Sequence, residues 1–406
     1  MRLAIVASHP IQYQAPWFRA LAHHVELDVL YCHRQDAAGH AAAGFERGFE
    51  WDVPLLDGYR YRWLTNVSPR PSVDAYGGCD TPQIGEVLRQ GRFDACLVMG
   101  WYLKSFVQAI RGCWRLRMPV LARGDSQLAT PRSVLVRAAK FLPYRWLLPR
   151  IDAHLFVGHA NRDYLRHFGV PNNRLHFVPH FVDNDRFSAS ASLARQDGSA
   201  GAIRSTIGAS SRDIVFMFAG KFIPKKRPSD FVEALGKLHA RGFAVRGAMI
   251  GSGPLESELR RQVLESNAPV AFLGFANQTE MPVRYAAADC LVLPSDGGET
   301  WGLVVNEAMA CGLPAIVSNL AGCAADMITD DVTGFQFPCG SLEDLVQRME
   351  NLIVRLSRNP QHFNAGVTAR IRRYSCDVAV AGLQVALSSV VSPERLVSSS
   401  LAGARQ

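Results

Sequence analysis

Two successive series of short apolar runs, each interleaved with helical patterns, occupy most of the 406-residue chain and restrict its fold more than any other feature. In the first series the runs are Leu3–Ala7, Leu27–Cys32, Ala95–Met99, Val120–Ala122 and Ala153–Val157, with helical patterns such as Pro16–His24 and Tyr102–Trp114 between them. In the second they are Ile214–Ala219, Val245–Ile250, Val270–Leu273, Cys290–Leu293 and Ala315–Ser318, separated by helical patterns at Pro228–Arg241, Leu255–Glu265, Glu280–Ala288 and Leu303–Ala310. Runs that are apolar throughout belong to strands covered on both faces, and strand–helix alternation makes the sheet parallel. The predicted class is therefore α/β, with two facing Rossmann-like domains, 1–183 and 213–365. Between them lies 184–212, which includes SASASLARQDGSAGAIRST. Rich in Ser, Ala and Gly and without clear periodicity, it reads as a linker. Ligands of open parallel sheets sit beyond the carboxyl ends of the strands, so the cleft between the domains is the expected site.

The stretch PSDGGETWGLVVNEAMACGLP (Pro294–Pro314) carries two carboxylates eight positions apart. Turn formers place Glu299 in a loop, and Glu307 falls inside the helical segment Leu303–Ala310. A pyrophosphate fits between them, because Gly302 admits close backbone approach and the free N–H groups of Thr300–Leu303 at a helix start favour phosphate. One carboxylate can hold sugar hydroxyls and the other ribose hydroxyls, which points to a sugar nucleotide. FAGKFIPKKRPSD (Phe218–Asp230) adds Gly220, Lys221, Lys225, Lys226 and Arg227 after a strand, suited to a departing diphosphate. IGSGPLESEL contributes Gly251 and Gly253, and LGFANQTE, with Phe275, makes a third strand-end loop where a nucleobase edge could be met.

Composition narrows the classes further. At 48% hydrophobic and 20% charged the chain is globular, and no apolar run approaches the length of a membrane span. The nine cysteines form no C-x-x-C pair, so they read as reduced residues of a cytosolic protein without structural zinc, and no signal peptide is expected. The net charge of +8 is uneven: Lys104–Arg150 holds ten basic residues and one acid, Asp125. These cations form no nucleic-acid recognition motif. PRSVLVRAAKFLPYRWLLPR (Pro131–Arg150) instead mixes them with Phe141, Tyr144 and Trp146, as a segment at an anionic membrane surface or a lipid-phosphate acceptor would, or as a solvated basic helix packed on its own domain would.

GKFIPKKR, GSGP, FLGF, YAAADCLVLPS, GETWGLVVNEAMACGLPAIVS and DDVTGFQFP, in that order, resemble the carboxy-terminal domain of the GT-B family 4 retaining glycosyltransferases, over about Ile214 to Pro338. The resemblance implies that Glu299 holds donor-sugar hydroxyls, Glu307 the ribose, and Lys221 with Lys226 the diphosphate, and it makes Gly220, Gly251, Gly253, Phe275, Thr300, Trp301, Gly302 and Leu303 donor-binding. Lys221 stands where the family usually has Arg, which keeps the charge and loses the bidentate fork. The segment 366–390 resembles the family's last helix, which crosses back to the first domain, leaving 391–406 as a tail. The first domain departs more. SHPIQYQAPWF replaces the usual glycines, so that His9, Gln12 and Tyr13 would face the acceptor. LARGDSQ stands where a His is common, making Arg123 a candidate acceptor residue and Asp125 a candidate catalytic one.

The expected activity is glycosyl transfer with retention. It runs from a nucleotide-sugar donor to a saccharide or lipid-linked acceptor, needs no cofactor or metal, and takes place in the cytoplasm, free or peripherally at the inner membrane face. Bacterial polysaccharide, glycolipid or glycoconjugate synthesis would be its setting. Two other readings remain at this stage: a different GT-B enzyme such as an epimerase or a phosphorylase, and a catalytically silent sugar-nucleotide-binding protein.

Overall fold

The computed structural model describes residues 1–35 and 48–391, so the expected tail lies outside the described residues apart from Val391. The first sheet contains β1 (Arg2–Ala7), β2 (Glu26–Tyr31), β3 (Arg60–Trp63), β4 (Ala95–Val98), β5 (Val120–Gly124), β6 (Ala153–Phe156) and β7 (Leu175–Phe177). Its strand order is β3-β2-β1-β4-β5-β6-β7. The second contains β8 (Ile214–Ala219), β9 (Val245–Ile250), β10 (Val270–Gly274), β11 (Cys290–Leu293), β12 (Ala315–Ser318) and β13 (Gly334–Phe337), in the order β10-β9-β8-β11-β12-β13. Neighbouring strands run parallel. In both sheets the order reverses at the first strand, between β1 and β4 and again between β8 and β11. A crevice opens at such a switch point, because the connections on its two sides leave in opposite directions.

The central strands form where burial is complete: Leu3, Ala4, Ile5 and Val6 of β1 are 0% exposed. Apolar side chains on both faces of the first sheet feed two separate cores, and a third core fills the second domain. The strands that the apolar pattern does not reveal are β3, β7 and β13, and each is the edge of its sheet. An edge strand packs against one neighbour only and tolerates charge, as Arg60 and Arg62 in β3 illustrate.

The segment read as a linker is largely helical. Asp183 accepts a hydrogen bond from the Arg186 backbone N–H at 3.1 Å and caps the helix Asn184–Gln196, which the helix Ser199–Thr206 follows. Phe187, Ala191, Ala194 and Ala200 enter the second domain's core. Alanine and serine give little amphipathic contrast, yet their small side chains let this helix lie close to the helix Met281–Ala286.

The helix Cys376–Val390, capped by Ser375 at Val378, packs on the helix Ala15–Ala22 and on β6 and β7. The chain therefore returns from the second domain to the first, and Leu383, Ala386 and Leu387 share a core with Leu3 and Ile5. Gly382 makes the approach possible, because a Cβ there would lie 2.1 Å from the carbonyl oxygen of Phe177. Replacing a helical glycine by alanine ordinarily stabilises by about 1 kcal/mol. Gly382→Ala should do the opposite and lower the thermal unfolding midpoint followed by circular dichroism. A midpoint equal to or above wild type would show that the helix is not seated this tightly.

Candidate functional site

Between the carboxyl ends of the two sheets lies a cavity of ≈580 Å³. The second domain lines it with Gly220, Lys221, Lys225, Lys226, Gly251, Ser252, Phe275, Gln278 and Glu307, and the first with Gln12, Tyr13, Trp51 and Asp74. Sheet order explains this meeting of distant residues. β8 lies between β9 and β11, so the loops that follow these three strands converge. Gly251, at φ +138°, crosses so near the first of these loops that a Cβ would sit 1.9 Å from the Gly220 carbonyl oxygen. Only glycine fits both requirements.

Lys226 Nζ forms an ion pair with Glu299 Oε2, and the two side chains are only 13% and 12% exposed. Ser295 Oγ donates to the same oxygen at 3.4 Å. The backbone of this loop is fixed from outside as well as within. Gln127 Nε2, from the first domain, donates to the carbonyls of Gly297, Glu299 and Leu320 at 3.0, 2.8 and 3.2 Å. Burial, followed by the neighbouring charges of Lys225 and Lys226, pushes the Lys221 ammonium below the usual lysine range. A cluster of this kind favours an anion.

Glu307 is 1% exposed and lies on the helix Leu303–Ala310, which starts from Gly302 in the left-handed region at φ +106°. Tyr13 donates its hydroxyl to Oε1 at 2.8 Å, Gln278 Nε2 donates to the same oxygen at 3.3 Å, and Tyr285 donates to Oε2 at 2.9 Å. Burial raises the Glu307 pKa while these donors oppose the rise. Gln278 is itself held by Arg186, whose guanidinium donates to its carbonyl and side-chain oxygens at 2.8 and 3.1 Å. Tyr285 and Gln278 were not singled out from the sequence, although both lie inside motifs that were, YAAADCLVLPS and LGFANQTE. Tyr13, expected toward the acceptor, spends its hydroxyl on the carboxylate expected to hold ribose.

On the first-domain side, Thr300 Oγ1 donates to Asp125 Oδ2 at 2.8 Å, and His180 Nε2 lies 3.8 Å from the same oxygen, an ionic rather than a hydrogen-bonding separation. Burial works to raise the Asp125 pKa, but His180 and Thr300 prevail and bring it down to about 2. Arg123 does not reach the cleft as an acceptor residue. It is 5% exposed, donates to the Pro179 carbonyl at 2.9 Å and lies over the Trp17 ring, and burial lowers its pKa to about 10. The Trp301 side chain also leaves the cavity: its Nε1 donates to Asn306 Oδ1 at 2.8 Å, and its ring packs between His180 and Tyr374. Leu303 packs against the second domain's core, and Gly253, at φ +155°, opens the turn beside Phe222. His9 accompanies Ser8, whose Oγ is 3.0 Å from its Nδ1. Among the described residues no group of three His, Cys, Asp or Glu is placed to hold a metal ion.

Residues 201–359 match the family described as "Glycosyl transferases group 1". A sulfoquinovosyl transferase of Arabidopsis thaliana is 40% identical over 111 residues, which is 27% of this chain and 21% of that protein. A D-inositol 3-phosphate glycosyltransferase of Rhodococcus opacus is 29% identical over 203 residues, 48% of this chain and 43% of that protein. The chain thus spans less than half the length of these relatives. Anabaena HepE, solved in complex with UDP, superposes with a TM-score of 0.71 at 15% identity, covering 96% of this chain and 100% of that one. The fold is GT-B: two parallel-sheet Rossmann-like domains facing across a cleft.

The Lys226–Glu299 pair makes a measurable demand. Removing one member of a largely buried pair strands the other, a loss of about 3 kcal/mol or more. Lys226→Ala and Glu299→Ala should each lower stability in denaturant unfolding, while the double variant loses clearly less than the sum of the two. Strictly additive losses would show that the two charges do not depend on one another.

Proposed function

We propose that the chain is a retaining glycosyltransferase that moves a sugar from a nucleotide-sugar donor to a hydroxyl of a saccharide or lipid-linked acceptor. The observation that carries this reading is a single interdomain cavity lined both by three lysines and by the buried carboxylate Glu307. A diphosphate belongs with the lysines and with the N–H groups at the start of the helix Leu303–Ala310, and ribose hydroxyls belong with Glu307. Glu299, adjacent through Lys226, is placed for the hydroxyls of the transferred sugar. The group 1 match over residues 201–359 supports sugar transfer, and the UDP complex of HepE makes uridine diphosphate the first donor nucleotide to test.

In the reaction, the bond between the anomeric carbon and the diphosphate oxygen breaks and its electron pair leaves with the diphosphate. Lys221, Lys225 and Lys226 balance the charge that develops on it, a task that asks for no metal. The acceptor oxygen attacks from the face the diphosphate leaves, and its proton passes to a phosphate oxygen, so the configuration is retained. Asp125, ionised beside Thr300, would stabilise the positive charge that builds at the sugar ring. Because the lysines act on developing charge, Lys226→Ala should lower kcat more than it raises the donor KM. Glu307→Ala should weaken donor binding by about 1.5 to 3 kcal/mol, read by calorimetry. NMR of the product formed from a panel of UDP-sugars decides the stereochemistry. A product of inverted configuration would refute retention, and donor turnover without an acceptor product would refute transfer.

We place the reaction in the cytoplasm at an anionic membrane face, in the synthesis of a bacterial polysaccharide, glycolipid or glycoconjugate. No helix among the described residues is long and apolar enough to cross a membrane. The support for a surface contact is the helix Val134–Leu147, where Val134, Leu135 and Leu142 are 80%, 82% and 74% exposed beside Arg137, Lys140 and Arg145. Each cation near an anionic surface contributes about 1 kcal/mol. The protein should therefore sediment with anionic vesicles at low salt and far less with neutral ones. Recovery in the supernatant with anionic vesicles at low salt would remove the membrane from the reading.

A further inference from the structure

A second cavity, of ≈330 Å³, lies under the exposed helix and apart from the donor cleft. Its apolar wall is Phe141, Tyr164 and Phe168, with ring centroids 6.0 Å apart for Phe141–Phe168 and 4.9 Å for Tyr164–Phe168. Its rim carries Arg132, Arg137 and Lys140. No acidic residue occurs between Asp125 and Asp152 in the sequence, and among the described residues none of the three rim cations has a carboxylate within ion-pair distance. Burial, and secondarily the charge of Arg132, press the Lys140 ammonium below its ordinary range. Arginine and lysine stems around an aromatic floor offer two things together: charge for a phosphate and an apolar wall for what is attached to it.

We propose that this cavity binds an anionic amphiphile, a phosphate group joined to an apolar chain, with the phosphate at Arg132, Arg137 and Lys140 and the start of the chain against Phe141 and Phe168. The assignment does not depend on the transferase reading, since neither the lysine cluster nor Glu307 takes part. Gln127 does connect the two places. It lines this cavity while its side-chain amide nitrogen donates to the carbonyl of Glu299.

Phosphate attached to a chain could reach the site from a lipid bilayer or as a soluble ester, and monomeric probes separate the phosphate from the chain. Calorimetric titration with dihexanoyl phosphatidic acid below its micelle concentration should show saturable binding, with inorganic phosphate about tenfold weaker or worse. Arg137→Gln combined with Lys140→Gln should reduce the affinity for the phosphatidic acid about tenfold or more. Arg137 is exposed and Lys140 half-buried, and an unchanged thermal midpoint reads the fold independently. His167→Glu, which puts an anion on the same rim, should weaken binding comparably. UDP affinity should stay at the wild-type value in all of these variants, so a failed donor reading and a failed amphiphile site give different patterns. Equal affinity for inorganic phosphate would overturn the amphiphile, and full affinity in the rim variants, or no binding by wild type, would overturn the site. If phosphatidic acid in vesicles binds wild type and the rim variants alike while the monomer does not bind, the helix face alone meets the membrane and the cavity is not the site.

Discussion

A carboxylate without access to water has to be surrounded by hydrogen-bond donors, and the way Glu307 meets that demand orders much of the molecule. Its donors come from three places: Tyr13 in the loop after β1, Tyr285 in the helix that precedes β11, and Gln278 in the loop after β10. Gln278 is fixed in turn by Arg186, from the helix that connects the two domains. One buried charge therefore ties together the first sheet, the connection and the second sheet. The glycine crossing at Gly251 and the glycine start at Gly302 bring the backbone close enough for that arrangement to close.

The legibility of the fold follows burial. The central strands announce themselves as unbroken apolar runs, whereas three of the four edge strands, β3, β7 and β13, do not, β10 being the exception. The connecting segment misleads for a related reason: Ala191, Ala194 and Ala200 are buried, yet alanine and serine look alike to a hydrophobic pattern. Within the site, the second-domain residues were readable because they cluster in short motifs that the sheet order then brings together. The first-domain residues were not, since their roles are fixed by partners far along the chain. Arg123 meets the Pro179 carbonyl 56 positions away, and Tyr13 meets Glu307 at a separation of 294. Residue type and spacing carry no record of such pairings.

The concentration of basic residues between Lys104 and Arg150 divides in the same way. A count treats them as one patch, but five of them stand in three different situations. Lys104 is paired with Asp80 at 2.6 Å, Arg123 is buried against backbone carbonyls, and Arg132, Arg137 and Lys140 stand around the aromatic cavity. The last group is the one that sets positive charge beside an apolar cavity. Net charge set the right question for this half of the chain, and side-chain burial answers it.

The amide of Gln127 has two hydrogens and three carbonyls to serve. Two of the three acceptors therefore share one hydrogen. All three carbonyls belong to the second domain, so one first-domain side chain holds the Gly297–Glu299 loop and Leu320 together. Glu307 behaves differently, because each of its bonds is made by a separate side chain and is lost outright if that chain withdraws. The two contacts thus differ in kind: one side chain gathers three backbone carbonyls, whereas one carboxylate gathers three side chains. Because Thr300 also donates to Asp125 and the His159 backbone N–H to Asp326, a group that took the place of Tyr13 on Glu307 would release one contact between the domains and leave the others in place.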